Sequence, residues 1–270
     1  MAFHNDLALD EALDALDPLR HLMHEQDSSS SHSSTSSRSP SPSPSHHAKT
    51  TALPLLPKQR RTVHNETLHL EFAHTSTGAE AEQRPPIAIT LVVDAGPGCG
   101  GIAWPAGEVL ARYLVQRGAA YVRGRTILEL GSGTGLVGLV AAKLAHSDAS
   151  AGDGHVWITD QAPLLDIMRR NTRENALEEQ VSVAEFNWGT PLPVDIPVPD
   201  LVLAADCVYF EPAFPLLVQT LAALVDARED RGSRGETEVL FCYKKRRKAD
   251  KKFFSLLRKS FTWTEVRCAE

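Results

Sequence analysis

The chain reads as an α/β fold, with one parallel sheet covered by helices on both faces. Three observations predict it. From Thr126 onward, short apolar runs of strand length alternate with helical patterns. The first of these runs ends in a glycine-rich turn that opens a helix. The length, 270 residues with 42% hydrophobic, allows one large α/β domain plus a tail, or at most two small domains.

The elements follow in order. Residues 1–27 form a tail, with Leu13, Leu16, Leu19 and Leu22 at helical spacing and Pro18 interrupting the pattern. Residues 28–52 are a Ser/Pro-rich linker expected to be disordered, because serine and proline bury too little apolar surface to offset the entropy of ordering. The folded domain is expected over residues 53–270. Thr67–Thr75 and Ile87–Val93 are β-like runs that predict an N-terminal hairpin. Glu108–Val115 carries a helical stripe of Val109, Leu110, Tyr113 and Leu114. The core alternation is then strand Thr126–Leu130, helix Gly135–Leu144, strand His155–Thr159, helix Leu164–Ala176 and strand Val181–Phe186. It continues as strand Leu201–Ala205, helix Phe214–Ala227, strand Glu238–Tyr243, helix Asp250–Ser260 and a final strand Phe261–Arg267.

Bulk properties exclude several classes. A formal net charge of −6 argues against a general nucleic-acid binder, so no stable nucleic-acid partner is expected. The four cysteines form no C-x-x-C pair and the eleven histidines show no ligand spacing, so no metal site is expected. No run of about 18 apolar residues predicts a membrane span. The N-terminus has the plan of neither a signal nor a transit peptide, which predicts a cytoplasmic or nuclear protein. A monomer is expected.

The turn Gly131-Ser132-Gly133-Thr134-Gly135 lets the backbone bend sharply and approach a ligand. A dinucleotide fingerprint is G-x-G-x-x-G; here the third glycine comes one position early and Leu136 takes its place. Glu129, two residues before the loop, suits a cofactor with a cationic amino-acid end better than a pyrophosphate. Both features favour S-adenosylmethionine. Asp160 ends the next strand, where an acidic side chain accepts ribose hydroxyls; the competing reading is a helix cap.

Ligands of open α/β sheets bind beyond the carboxyl ends of the strands. Ala205, Asp206 and Tyr209 follow the apolar strand Leu201–Leu203 and are therefore expected where substrate meets cofactor. A carboxylate and an aromatic ring suit an amine, which arrives charged because a lysine pKa is about 10.4. The competing reading makes Asp206 a cap and Tyr209 a core aromatic. Trp188, after the third core strand, is placed either near the adenine or in packing, and Trp104 likewise.

Together, Trp104-Pro105-Ala106, Glu129 to Gly135, Thr159-Asp160, Asn187-Trp188 and Asp206-Cys207-Val208-Tyr209 resemble the family-16 seven-β-strand protein-lysine methyltransferases. Within that group the tracts Asp206–Leu217 and Tyr243–Asp250 are similar to the fungal elongation factor 1A type. The resemblance spans about residues 85 to 267. It implies a Rossmann-like class I methyltransferase sheet, S-adenosyl-L-methionine as cofactor and a protein substrate, a translation elongation factor. It also implies cofactor contacts from Trp104, Gly131, Ser132, Gly133, Asp160, Trp188 and Ala205, with Asp206 and Tyr209 near the target lysine. Two departures stand out. The sheet is expected to lack its seventh strand, because the chain stops at Glu270 after the sixth, and this would expose a sheet edge. The Ser/Pro-rich insert is also unlike the family.

Lys244-Lys245-Arg246-Arg247-Lys248 follows the fifth core strand, on the face of the expected site. It is either a steering surface for an acidic protein or RNA, or a solvated loop. Two other functions stay open on the residues alone: an RNA or small-molecule methyltransferase on the same fold, and an inactive methyltransferase fold used as an interaction module.

Overall fold

The computed structural model describes residues 64–74, 85–97, 99–147, 154–230, 236–245 and 250–266. The tail, the Ser/Pro-rich linker and Arg246–Lys248 lie outside the described residues.

Seven strands and six α-helices are present among the described residues. The strands are β1 (Glu66–Phe72), β2 (Ile87–Val93), β3 (Thr126–Leu130), β4 (His155–Asp160), β5 (Val181–Glu185), β6 (Leu201–Ala205) and β7 (Glu238–Cys242). The helices are α1 (Pro105–Arg117), α2 (Ala119–Val122), α3 (Leu136–Ala145), α4 (Leu165–Glu174), α5 (Phe214–Asp230) and α6 (Asp250–Leu257). β3 to β7 form an all-parallel sheet in the order β5-β4-β3-β6-β7. The chain winds outward from β3 through β4 to β5, then returns to the other side of β3 as β6. That reversal leaves a crevice at the carboxyl ends of β3 and β6, the place where such sheets take ligands. Among the described residues no helix is long and apolar enough to cross a membrane.

Because successive strand residues face opposite sides, β3 and β6 serve two cores. Ile127, Leu201 and Leu203 join the layer of α1, α3, α4 and the hairpin, where Leu114, Leu139 and Met168 are buried. Leu128, Leu130, Val202 and Ala204 join the layer of α5 and α6, around Phe214, Leu217 and Phe253. Both faces are covered, which is why β6 is apolar throughout and β3 is interrupted only by Thr126 and Glu129.

The predicted hairpin is present: β1 pairs antiparallel with β2, Leu70 opposite Ile89. A two-stranded ribbon is marginal alone. This one turns Leu68, Leu70, Phe72, Ile87, Ile89 and Leu91 into the core. The far edge of β2 finds its partners on a helix. Asn175, the C-cap of α4, bonds both backbone groups of Thr90, accepting from its N–H at 3.0 Å and donating to its carbonyl at 2.7 Å. Asn171 does the same with Val92, at 2.7 and 3.0 Å. Two side-chain amides thus replace a strand, satisfying groups that would be costly to bury unpaired.

One expected element is absent. Phe261–Arg267, read as a sixth core strand, has no strand structure over residues 261–266, so the described parallel sheet has five strands. The segment has β-forming residues but no ladder partner, and strand propensity without pairing is weak. Its Trp263 packs on Phe254 of α6 instead, with ring centroids 5.9 Å apart.

Candidate cofactor and substrate site

The glycine loop after β3 has Gly131 at φ 58°, Gly133 at φ 55° and Gly135 at φ 82°. All three lie in the left-handed region, which costs a residue with a Cβ about 1–2 kcal/mol. Close approach adds a second requirement. A Cβ on Gly131 would stand 2.9 Å from Trp188 Cζ2, and one on Gly133 would stand 2.4 Å from the Gly100 carbonyl oxygen. Ser132 locks the loop to β4: its N–H donates to Thr159 O and its hydroxyl accepts from Thr159 N–H, each at 2.9 Å.

Asp160, at the carboxyl end of β4, takes backbone N–H groups on both oxygens. Gly133 N–H donates to Oδ2 at 2.8 Å and Gln161 N–H to Oδ1 at 2.7 Å. Each oxygen keeps a lone pair beyond the one used. Burial pushes the Asp160 carboxyl upward, while the Gly133 and Gln161 amides hold it down.

Glu129 lines the cavity and also reaches α3. Its side chain lies under α3, where Oε2 accepts Gly138 N–H at 2.9 Å. Gly135, the residue preceding α3, gives no side-chain cap, so the carboxyl supplies an acceptor to the orphan amides of the first turn. Burial pushes its pKa up to about 8. The carboxyl thus caps α3 from the cavity wall.

Beyond β6, the chain turns at Asp206, whose φ of 60° is unusual for a residue with a side chain. Its N–H donates to Cys242 O at 2.7 Å, and its Oδ1 accepts Lys244 N–H at 3.4 Å. Asp206 is buried, and Tyr209 is partly so. Desolvation raises the Tyr209 hydroxyl above the usual phenol range, with the Cys99 thiol as its hydrogen-bond neighbour. Tyr209 therefore stays protonated throughout the physiological range. Trp104, just before α1, donates its indole N–H to Cys99 O at 2.8 Å.

One cavity of about 550 Å³ joins these groups. All ten residues singled out in the sequence line it: Trp104, Glu129, Gly131, Ser132, Gly133, Asp160, Trp188, Ala205, Asp206 and Tyr209. Sequence reasoning missed Cys99, Gly100, Gln161 and Phe186, which also line it. Gly100 had a signal in the run Gly98 to Gly101, but only the fold brings its carbonyl against Gly133. Gln161 contributes as the neighbour of Asp160, and Phe186 as the residue directly after β5, two before Trp188.

The arrangement can hold a ligand with an adenosine-like part between the glycine loop, Asp160 and Trp188. Asp206 and Tyr209 line the same cavity, with Tyr209 hydrogen-bonded to Cys99. Comparison with known proteins finds relatives over most of the chain. Residues 83–260 match the family described as "Lysine methyltransferase". The protein-lysine N-methyltransferase EFM6 of Saccharomyces cerevisiae is 37% identical over 198 residues, covering 66% of this chain and 78% of that protein. The protein N-lysine methyltransferase METTL21A of Danio rerio is 37% identical over 176 residues, 63% of this chain and 72% of that one. The EEF1A lysine methyltransferase 3 of Xenopus tropicalis is 29% identical over 174 residues, 63% of this chain and 70% of that one. With most of its length matched and the residues of its sequence pattern gathered around one cavity, this enzyme belongs to the lysine methyltransferase family.

Proposed function

We propose that the protein transfers a methyl group from S-adenosylmethionine to the side-chain amine of a lysine on a translation elongation factor of the 1A type. The observation that carries this reading is that one cavity is lined both by the glycine loop with Asp160 and by Asp206 with Tyr209.

The residues fit the cofactor. Loop glycines without a Cβ let the loop pack closely on Trp188 and the Gly100 carbonyl beside the cavity, and Asp160 retains lone pairs for two hydroxyls. Trp188, whose ring lies on Gly131, offers an aromatic face to a flat base. Ser132, Ala205 and Trp104 complete the wall. When bound, the cofactor supplies an activated methyl group on a sulfonium.

The remaining chemistry belongs to the chain. A lysine amine arrives mostly protonated, with a pKa near 10.4, and must lose a proton before its lone pair can attack. Asp206 is the carboxylate placed to attract the ammonium and to hold that proton on an oxygen. Tyr209 stays a phenol, so it orients the amine through its hydroxyl and ring and does not act as a base. Transfer of this kind depends on in-line placement more than on strong acid–base help. A translation-factor substrate is met in the cytoplasm, and we place the protein there.

The test is incubation with methyl-labelled cofactor and a lysate of cells lacking the enzyme. One labelled protein band at the size of elongation factor 1A, lost with Asp206→Ala, supports the reading. Label in RNA, or no cofactor binding by well-folded protein, refutes it.

A further inference from the structure

The charge of this chain is unevenly placed. Residues 244–259 hold nine of its 28 Lys and Arg but one of its 34 Asp and Glu, a net +8, which leaves −14 on the rest. The one acidic residue, Asp250, is buried. α6 explains the orientation: it turns Asp250, Phe253 and Leu257 inward and leaves Lys251 and Lys252 exposed. Arg258 and Lys259, just past the helix, are exposed too, as are Lys244 and Lys245 after β7.

This basic surface is joined to the cavity at two points. The Lys244 N–H donates to Asp206 Oδ1. Lys252 Nζ pairs with Glu211 Oε1 at 2.9 Å, and Glu211 lies between Phe210 and Pro212, both of which line the cavity. The positive face therefore borders the mouth of the proposed lysine site.

We propose that the exposed face of α6, with Lys244 and Lys245 after β7, docks an acidic patch on the substrate protein, beside the lysine that enters toward Asp206. Charge complementarity selects the occupant. A patch of opposite sign gains on-rate and orientation from the six exposed cations Lys244, Lys245, Lys251, Lys252, Arg258 and Lys259. A nucleic acid needs a longer positive track, and here it would run onto a body that carries −14. The inference rests on the proposed protein-lysine activity and specifies how its substrate is chosen.

The test uses the full-length protein with Lys245→Glu, Lys251→Glu and Lys259→Glu combined, and a matched variant with arginine at the same three positions. Docking to purified elongation factor 1A is measured as a Kd at several salt concentrations, apart from methyl transfer. Cofactor affinity, expected unchanged, reports that the variants fold. The glutamate variant is expected to weaken docking and kcat/KM roughly tenfold or more at low salt, through KM rather than kcat, and to flatten the salt dependence. The arginine variant is expected to match the wild type. Docking that ignores both the charge reversal and salt overturns the proposal. So does binding of polyuridylate that the glutamate variant loses while docking of the protein is untouched. Charge-dependent docking without methyl transfer overturns the activity reading alone.

Discussion

Gly133→Ala tests the glycine loop directly, because two costs can be read from the structure and separated by a control. At φ 55° an alanine takes a conformation costing about 1–2 kcal/mol. Its Cβ would also lie 2.4 Å from the Gly100 carbonyl oxygen, whereas Cβ contacts under 3.0 Å are essentially never seen. One of the two backbones must therefore move by at least about 0.6 Å, and both line the cavity. Gly124→Ala provides the control. Gly124 has φ 68°, but a Cβ there meets nothing within 4 Å, and the residue does not line the cavity. Gly124→Ala should lower the melting temperature by roughly 2–4 °C per kcal/mol and leave cofactor binding alone. Gly133→Ala should lose more stability and weaken S-adenosylmethionine binding at least tenfold, about 1.4 kcal/mol. Titration calorimetry reads the affinity and thermal unfolding the stability. Binding by Gly133→Ala within twofold of wild type would refute the argument that the Gly100 contact shapes the cofactor pocket.

Three further outcomes are expected. Glu129 has a folded pKa of about 8 against an ordinary 4.5, so between those values the folded state holds a proton that the unfolded state has released. Its contribution is fully present below about pH 4.5 and declines as pH rises toward 8; thermal unfolding from pH 5 to 8 should show a fall in wild type that Glu129→Gln lacks. Asn171→Ala removes the bonds to both backbone groups of Val92 and to Thr134 O, with the site fully buried. That should cost roughly 3 kcal/mol in urea unfolding, and an unchanged midpoint would contradict the helix-for-strand account of β2. Asp206→Gly and Asp206→Ala should both abolish methyl transfer, but the glycine variant should be the more stable by about 1 kcal/mol, since only glycine sits at φ 60° without strain.

Much of the fold was legible because its signals are local. β2, β3 and β6 have the bounds their apolar runs predict, and α3 begins directly after Gly135. α2 was not legible: four residues carry too little periodicity. Phe261–Arg267 misled because it has strand-forming residues without a strand beside it among the described residues. At the site, Asp160 and Asp206 were legible as acids at strand ends, a position that the sheet itself makes functional. Glu129 was legible as a site position, whereas its bond to the first turn of α3 was not. Whether a carboxyl faces a ligand or caps a helix depends on where α3 packs, and spacing along β3 does not encode that.

The sequence by itself determined the alternation of strands and helices, the glycine loop, the acids that follow β4 and β6, and the basic tract after β7. Each is a property of neighbouring residues, set by side-chain periodicity and backbone freedom. Tertiary structure alone decided how these pieces meet. Winding the sheet outward and back around β3 brings residues from 104 to 209 onto one cavity. It seats the Gly100 carbonyl on Gly133 and turns Glu129 beneath α3. It also sets the basic face of α6 beside the Asp206 mouth. These contacts join residues far apart along the chain, and burial and packing across the sheet select them.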